Sequence, residues 1–396
     1  MQRIHQTQQS FQEPVLVASP LDEATLVIGV QIGEWVPTPG ASSGPLAPRA
    51  AVIVSTDAGE SWEVRPLPEL HFAEVAAAAP AFGDPTIAFG PDGVLHLAGM
   101  STDNYRVNGF AIVSTRSADL GRTWSPPVRI TMDGDLDNDR PWLSQLDDTL
   151  VLTWQNMAAA GWTTQMAWST DGGSSWSRQD VGQAAAMCSH ASPAVSHLGR
   201  IVYACAHYEG ADTKLGISLR TLDTASGEAP QLVLVDQVKA WWPRLIAANG
   251  SLVLVADTED AQAVGGTVVA SSSSDGLAWS PTLDLASVLN LDDGWDAMRH
   301  YATAVDAQGR LHVTVNGAIP GPGAATYADH RVHVVLDLAT RAALAEYDLW
   351  PDGPYTGTPS VSVGWSDDWG DVLVLPSTTI IVSGHERGIE LGRLVN

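Results

Sequence analysis

Residues 55–62 read STDAGESW, a string with the spacing Ser-x-Asp-x-Gly-x-x-Trp. The spacing returns in SADLGRTW at 117–124 and STDGGSSW at 169–176, and SSDGLAW at 273–279 is a shortened fourth copy. A recurrence of this kind is a repeat and has to be read before any site. The copies follow short apolar runs such as AAVIVS and TQMAWS, so each is predicted to be a turn between two strands. The carboxylates of Asp57, Asp119, Asp171 and Asp275 are suited to capping backbone N–H groups of such a turn. Gly59, Gly121 and Gly173 take a backbone conformation closed to other residues. Trp62, Trp124, Trp176 and Trp279 then cover the hairpin with a large apolar face.

Helix signals are poor along the rest of the chain. Runs such as ATLVIGV, GFAIVS, TLVLTW, SLVLVA and RVHVVL are short, rich in Val, Ile and Thr, and bounded by Gly, Pro, Asp and Asn. That composition predicts many short strands and an all-β fold. A second repeat then emerges in EPVLVA, DPTIAF, RPWLSQ, SPAVSH, WPRLIA, YATAVD and TPSVSV. Its strands start near 14, 85, 141, 193, 243, 302 and 359, with Pro at every place except Ala302. Pro fits the first residue of a strand, where its missing N–H costs little. Seven units of roughly 55 residues, each with about four strands, describe a seven-bladed β-propeller over 1–396, with the Pro-led strands innermost. The Ser-Asp-Gly-Trp copies fall late in their units, between two outer strands.

At these residues the sequence resembles the Asp-box, or BNR-repeat, propellers, whose best-known members are sialidases. The resemblance implies that the turns are structural and lie away from the active site. Sialidases have six blades, so the resemblance carries a six-bladed propeller as the alternative. It also implies a glycoside hydrolase or a related carbohydrate-binding protein. The family opens with Phe-Arg-Ile-Pro, whose Arg helps bind the substrate carboxylate. This chain reads FQEP at 11–14, with Gln12 where that Arg would stand. Gln lacks the charged fork that a carboxylate prefers.

The bulk numbers restrict the partners. The chain has 396 residues, is 45% hydrophobic and carries a net charge of −25, from 45 acidic and 20 basic residues. So acidic a protein is not expected to bind nucleic acid or an anionic membrane surface. No apolar run is long enough to span a bilayer, and the polar start MQRIHQTQQSFQEP lacks the apolar core of a signal peptide. The sequence as it stands reads as cytoplasmic, with a secreted mature form as the alternative. Two cysteines do not make a disulfide-rich scaffold.

Propeller ligands sit at one mouth of the channel, ringed by the ends of the inner strands. The residues before the Pro positions are Glu13, Asp84, Arg140, Ser192, Trp242, Tyr301 and Thr358. Side chains alternate along a strand, so odd offsets from the Pro position are expected to share a facing. Arg140, Arg244 and Arg299 meet that condition, as do Trp142, His190 and Tyr301. The arginines suit a carboxylate, sulfate or phosphate, while Trp142 and Trp242 suit the face of a sugar ring. Asp84, Asp139 and Tyr355 complete the expected ligand-binding set. Tyr301 and His300 are the candidate proton-transfer groups. The bland alternative pairs the arginines with Asp139, Asp293 and Asp296 as ties between blades.

Two weaker patterns concern metals. Cys188, His190, Cys205 and His207, from CSH and CAH, are of the residue types that bind zinc if they flank one hairpin, though the strand register opposes it in part. The acidic stretches at 133–139, 291–296 and 365–371 offer oxygen ligands for a divalent metal such as calcium, without the EF-hand spacing. No cofactor motif is present. The first function expected is a sialidase-like carbohydrate-active enzyme hydrolysing or eliminating at an acidic glycan or other anionic ligand held at the mouth of the central channel. The alternatives are a non-catalytic glycan- or protein-binding or assembly propeller, and a small-molecule biosynthetic enzyme using the same mouth.

Overall fold

The computed structural model describes every residue except 1, 7–8, 35–48, 68–80, 103–109, 133–136, 157–162, 181–186, 190, 210–212, 223–230, 237–239, 259–266, 289–296, 321–326, 349–369, 377, 386–387 and 396. Five antiparallel sheets, at 9–66, 81–129, 138–180, 240–284 and 297–348, each run four strands in chain order. The sheet at 187–236 has a fifth short strand. In the remaining sheet the strand Gln2–Gln6 lies beside Gly388–Val395, followed by Thr378–His385 and Gly370–Val374. These sheets are the blades of an all-β, seven-bladed β-propeller. Seven blades displace the six-bladed alternative. The expected strand start at 359 lies outside the described residues. No helix among the described residues is long and apolar enough to cross a membrane.

The chain packs as two compact units, one of 3–194 with 383–390 and one of 195–382 with the two chain ends. In the first unit the apolar runs have a simple cause. Ile87, Leu95, Leu97 and Val113 of the sheet at 81–129 pack against Val27, Val52 and Val54 of the sheet before it. Ala98, Met100 and Ile112 point the other way, onto Leu143, Leu152 and Trp154 of the sheet after it. Odd and even residues are both buried, so the strands read as continuous apolar runs rather than alternating ones. In the second unit, Val253, Val255 and Val268 meet Leu311, Val313 and Val334 in the same way.

The Ser-Asp-Gly-Trp turns join the third and fourth strands of their sheets, as at Arg49–Ser55 and Glu63–Pro66. Asp57 accepts from the Ser61 N–H at 2.9 Å and from its hydroxyl at 2.5 Å, and Ser55 Oγ accepts from the Gly59 N–H at 2.8 Å. These bonds hold the Asp57 carboxyl down at about 2, with Ser61 the chief cause. Their contribution is present above the ordinary carboxylate value and is lost as pH falls through about 2. Trp62 Nε1 donates to the Gly59 carbonyl at 3.0 Å. Trp176 instead reaches Ser114 Oγ in the preceding sheet at 3.1 Å. Arginines clasp successive turns: Arg65 Nη1 donates to the Leu120 carbonyl at 2.6 Å and Arg116 Nη1 to the Gly172 carbonyl at 2.8 Å. Arg65 and Arg116 thus tie neighbouring sheets together.

Two of these turns are locally strained. Ala58 has φ 57° and Leu120 φ 59°, while their counterpart Gly172 has φ 66°. A Cβ there is unfavourable and Gly is not. Ala58→Gly should raise stability by about 0.5 kcal/mol, the relief of strain being partly offset by a freer unfolded chain. Urea unfolding of the two proteins checks this.

Candidate functional site

Four residues that immediately precede proline have left-handed backbones: Glu13 (φ 51°), Asp84 (46°), Arg140 (48°) and Trp242 (48°). At each, the pairing register slips, between Gln12 and Val15, Gly83 and Thr86, Asp139 and Trp142, and Trp241 and Arg244. Proline explains the slip. It has no N–H for the ladder, and its ring drives the preceding residue out of the right-handed helical region. The strand admits one extra residue and bends. A non-glycine residue in the left-handed region costs about 1–2 kcal/mol. The four prolines are buried, whereas the residues before them are only partly so. The same strained conformation recurs at four equivalent points, each presenting a polar or aromatic side chain. Ser192 departs from this set: it is fully buried and its carbonyl accepts from Thr153 Oγ1 at 3.0 Å.

Three of these bulges lie in the first unit, and they assemble a charged cluster. Asp84 hydrogen-bonds to Glu13 on one side and to Asp139 on the other. Arg140 Nε stands 3.8 Å from Asp139 Oδ2, with the two side chains 20% and 25% exposed. Burial pushes the Asp84 carboxyl well up, the Glu13 carboxylate adds to this, and Arg140 opposes it. Burial and the Asp84 carboxylate likewise raise Asp139, to about 6. The three carboxyls form one hydrogen-bonded relay that retains a proton near neutral pH. A carboxyl so tuned, partly open to solvent beside a guanidinium, is equipped for general acid–base work on an anionic molecule. Hydrogen-bonded carboxyls stand closer than the roughly 5 Å needed to flank a glycosidic bond, so the relay supplies one reacting group and not two.

The strand Asn138–Leu146 is fixed at its start. Asn138 is 1% exposed, donates Nδ2 to the Phe110 carbonyl at 2.9 Å, and accepts on Oδ1 from Trp154 Nε1 at 2.9 Å and Asn156 Nδ2 at 3.1 Å. This buried amide immediately precedes Asp139 and sets where the relay begins. Its role was not legible, since a lone Asn before a charged pair carries no motif.

Of the expected site residues, the structure brings Asp84, Asp139 and Arg140 together and adds Glu13 to them. Trp142 is half-buried on the same strand. In the second unit Trp242 and Arg244 are half-buried on either side of Pro243. In the strand Ala297–Val305, Arg299 pairs with Asn316 and Tyr301 with Val315, so the register skips His300. The side chains of Arg299, His300 and Tyr301 lie outside the described residues, as do His190 and Tyr355. The expected shared facing of odd offsets fails at the bulges. Asp139 and Trp142 oppose Gln155 and Thr153, two alternate residues, so offsets −2 and +1 share a facing. Arg299 and Tyr301 oppose consecutive residues and not alternate ones.

Cys205 is fully buried and disulfide-bonded, with its sulfur 3.3 Å from Ser218 Oγ, so it offers a metal no thiolate. The side chains of Cys188 and His207 lie outside the described residues, as do most of the acidic stretches. Among the described residues no group of three or more His, Cys, Asp or Glu is arranged to hold a metal ion. The second unit holds a different buried polar chain. His312 Nε2 contacts Asp306 Oδ2 at 3.3 Å, His312 Nδ1 contacts His333 Nε2 at 3.1 Å, and Thr314 Oγ1 contacts His333 Nδ1 at 2.9 Å. Burial lowers the proton affinity of both imidazoles, with Asp306 opposing it at His312 and His333 brought down to about 3. Every ring nitrogen has a partner, so the chain ties two strands together.

No protein-family model and no curated protein matches the chain. Among solved structures it is similar to a protein of unknown function from Dyadobacter fermentans, at 12% identity and TM-score 0.55, over 84% of this chain and 96% of that one. It is also similar to a Trypanosoma rangeli sialidase, at 11% identity and TM-score 0.46, over 97% of this chain and 54% of that one. The Hadza microbial sialidase Hz136 matches at 15% identity and TM-score 0.46, over 88% of this chain and 73% of that one. The chain spans about half the length of the trypanosomal sialidase. At these identities the likeness is one of fold.

Proposed function

We propose that the chain is a carbohydrate-active propeller enzyme of sialidase-like, Asp-box type that cleaves an acidic glycan, by hydrolysis or elimination. The observation that supports this most is the Glu13–Asp84–Asp139 relay beside Arg140 on strained bulges. Asp139, the relay member raised to about 6, acts as acid and base. In hydrolysis it protonates the leaving oxygen as the glycosidic bond breaks and water adds to the anomeric carbon; in elimination it removes the proton next to the sugar carboxylate, the C–O bond one carbon further on breaks to leave a double bond, and the leaving oxygen takes up a proton. Arg140 takes the carboxylate of the glycan. A separate assignment keeps Tyr301 and His300 as the candidate proton-transfer groups of the second unit. Its support is their place on a strand whose register slips like those of the relay strands.

A panel of uronate-, sialate- and sulfate-bearing oligosaccharides, with and without EDTA, tests the proposal through turnover and thermal shift. Turnover is expected, and Arg140→Ala should raise KM roughly 10- to 100-fold by removing a charged hydrogen-bond partner. A thermal shift without turnover, lost in Arg140→Ala, would make the protein a non-catalytic glycan binder. Silence in both readouts would overturn the glycan reading and leave a small molecule or a protein as the partner.

A further inference from the structure

We propose that Gln31 and Gly83 form a positioning device for the carboxyl relay, Gln31 holding the Asp84 main chain in its left-handed turn and Gly83 leaving room for the amide to reach it. The inference rests on the relay being the working site, and its test needs no substrate.

The argument begins with the bulge. Gly83 pairs with Met100 and Thr86 with Ala98, so Asp84 and Pro85 face a single residue, Gly99. Proline has no N–H, so the bulge has one backbone donor, that of Asp84. A buried donor without a partner is costly. The Asp84 N–H is taken by Gln31 Oε1 at 3.0 Å, reaching from the strand Leu26–Glu34 of the preceding sheet. An N–H demands an acceptor, which fixes the orientation of the Gln31 amide.

Gly83 is the second part. A Cβ added there would stand 2.9 Å from Gln31 Oε1. Any side chain at 83 would push the amide off the Asp84 N–H. Within its own sheet Gln31 pairs with Gln12, immediately before Glu13, so one residue adjoins two members of the relay. The charged groups acting on the Asp84 carboxyl are Glu13 from its own strand and Asp139 with Arg140 from theirs. Gln31 itself is neutral, so it acts on the relay through geometry and not through charge.

The test follows the titration of Asp139, read as the difference in thermal midpoint between each protein and its Asp139→Asn derivative across pH 3–9. In the wild-type background the midpoint of that difference is expected at about 6. In Gln31→Leu and in Gly83→Ala, Asp84 swings away from Asp139. The midpoint should then fall by about one pH unit, toward the ordinary carboxylate range. Gln31→Glu keeps an acceptor and should hold the midpoint at or above its wild-type position. A merely structural role would lower thermal stability equally at all pH values and leave the midpoint unmoved, and that result would overturn the inference. If Gln31→Leu fails to fold, Gly83→Ala decides, because it displaces only the end of a flexible side chain. Glycan turnover does not enter this readout, so a failure of the proposed activity leaves it interpretable.

Discussion

Asp139→Asn is expected to abolish the proposed glycan turnover and to make the protein more stable at pH 8. The loss of turnover is expected to be at least about 100-fold, the size of effect that a positioned acid or base supplies. The gain in stability follows from the sign of the shift. The Asp139 carboxyl has a folded-state value of about 6, above its ordinary value of 3.8. The folded protein therefore holds the proton more tightly than the unfolded chain does. The associated stability is fully present below about pH 4 and is lost as pH rises through about 6. Above that, the native state carries a poorly solvated carboxylate beside Asp84. Asparagine removes this charge and still hydrogen-bonds to Asp84. The expected gain at pH 8 is about 2 kcal/mol, reduced from the full shift because the side chain is a quarter exposed. At pH 4 the two proteins should differ little. Thermal unfolding at both pH values, with turnover on the same samples, checks the pair of effects. A residue present only for structure does not destabilise the fold and sustain turnover together.

Trp154→Ala has the largest expected cost to the fold. Trp154 is fully buried in the strand Thr149–Asn156, packed with Ile112, Leu143 and Leu152. The Arg178 guanidinium lies over its ring at 5.5 Å. Truncation should cost about 3–5 kcal/mol from the cavity, and about 1 more from the lost bond to Asn138. Trp154→Phe separates the two terms, since it keeps most of the volume and loses the donor; about 1–2 kcal/mol is expected. Denaturant unfolding reads both. Because Asn138 precedes Asp139, both variants should also lower the Asp139 midpoint. Such a shift connects the blade core to the relay.

The blade period was legible because proline stands at the same structural point in most blades. Pro14, Pro85, Pro141 and Pro243 each follow a left-handed residue at a register slip. The turns were legible for a related reason: Ser, Asp and Gly are each bound by local hydrogen bonds that hardly depend on tertiary context. The facing of the mouth residues was not legible. Counting by twos along a strand assumes an unbroken pleat, and one inserted residue moves Asp139 into the facing expected for Arg140. The proton affinity of Asp139 was hidden too, because it arises from Asp84 and Glu13, which approach it only in the fold. Gln31 carries no motif, and Gly83 reads as an ordinary strand glycine until Gln31 is seen to reach past it.

The most direct test of the account is the pH profile of acidic-glycan turnover by the wild-type protein beside Asp139→Asn, on samples matched for folded fraction. Turnover should be detectable for at least one uronate- or sialate-bearing substrate, change through pH about 6, and be lost in Asp139→Asn while the variant melts higher at pH 8. Turnover by Asp139→Asn equal to that of the wild type, with the same pH profile, would contradict the assignment of the relay as the working site.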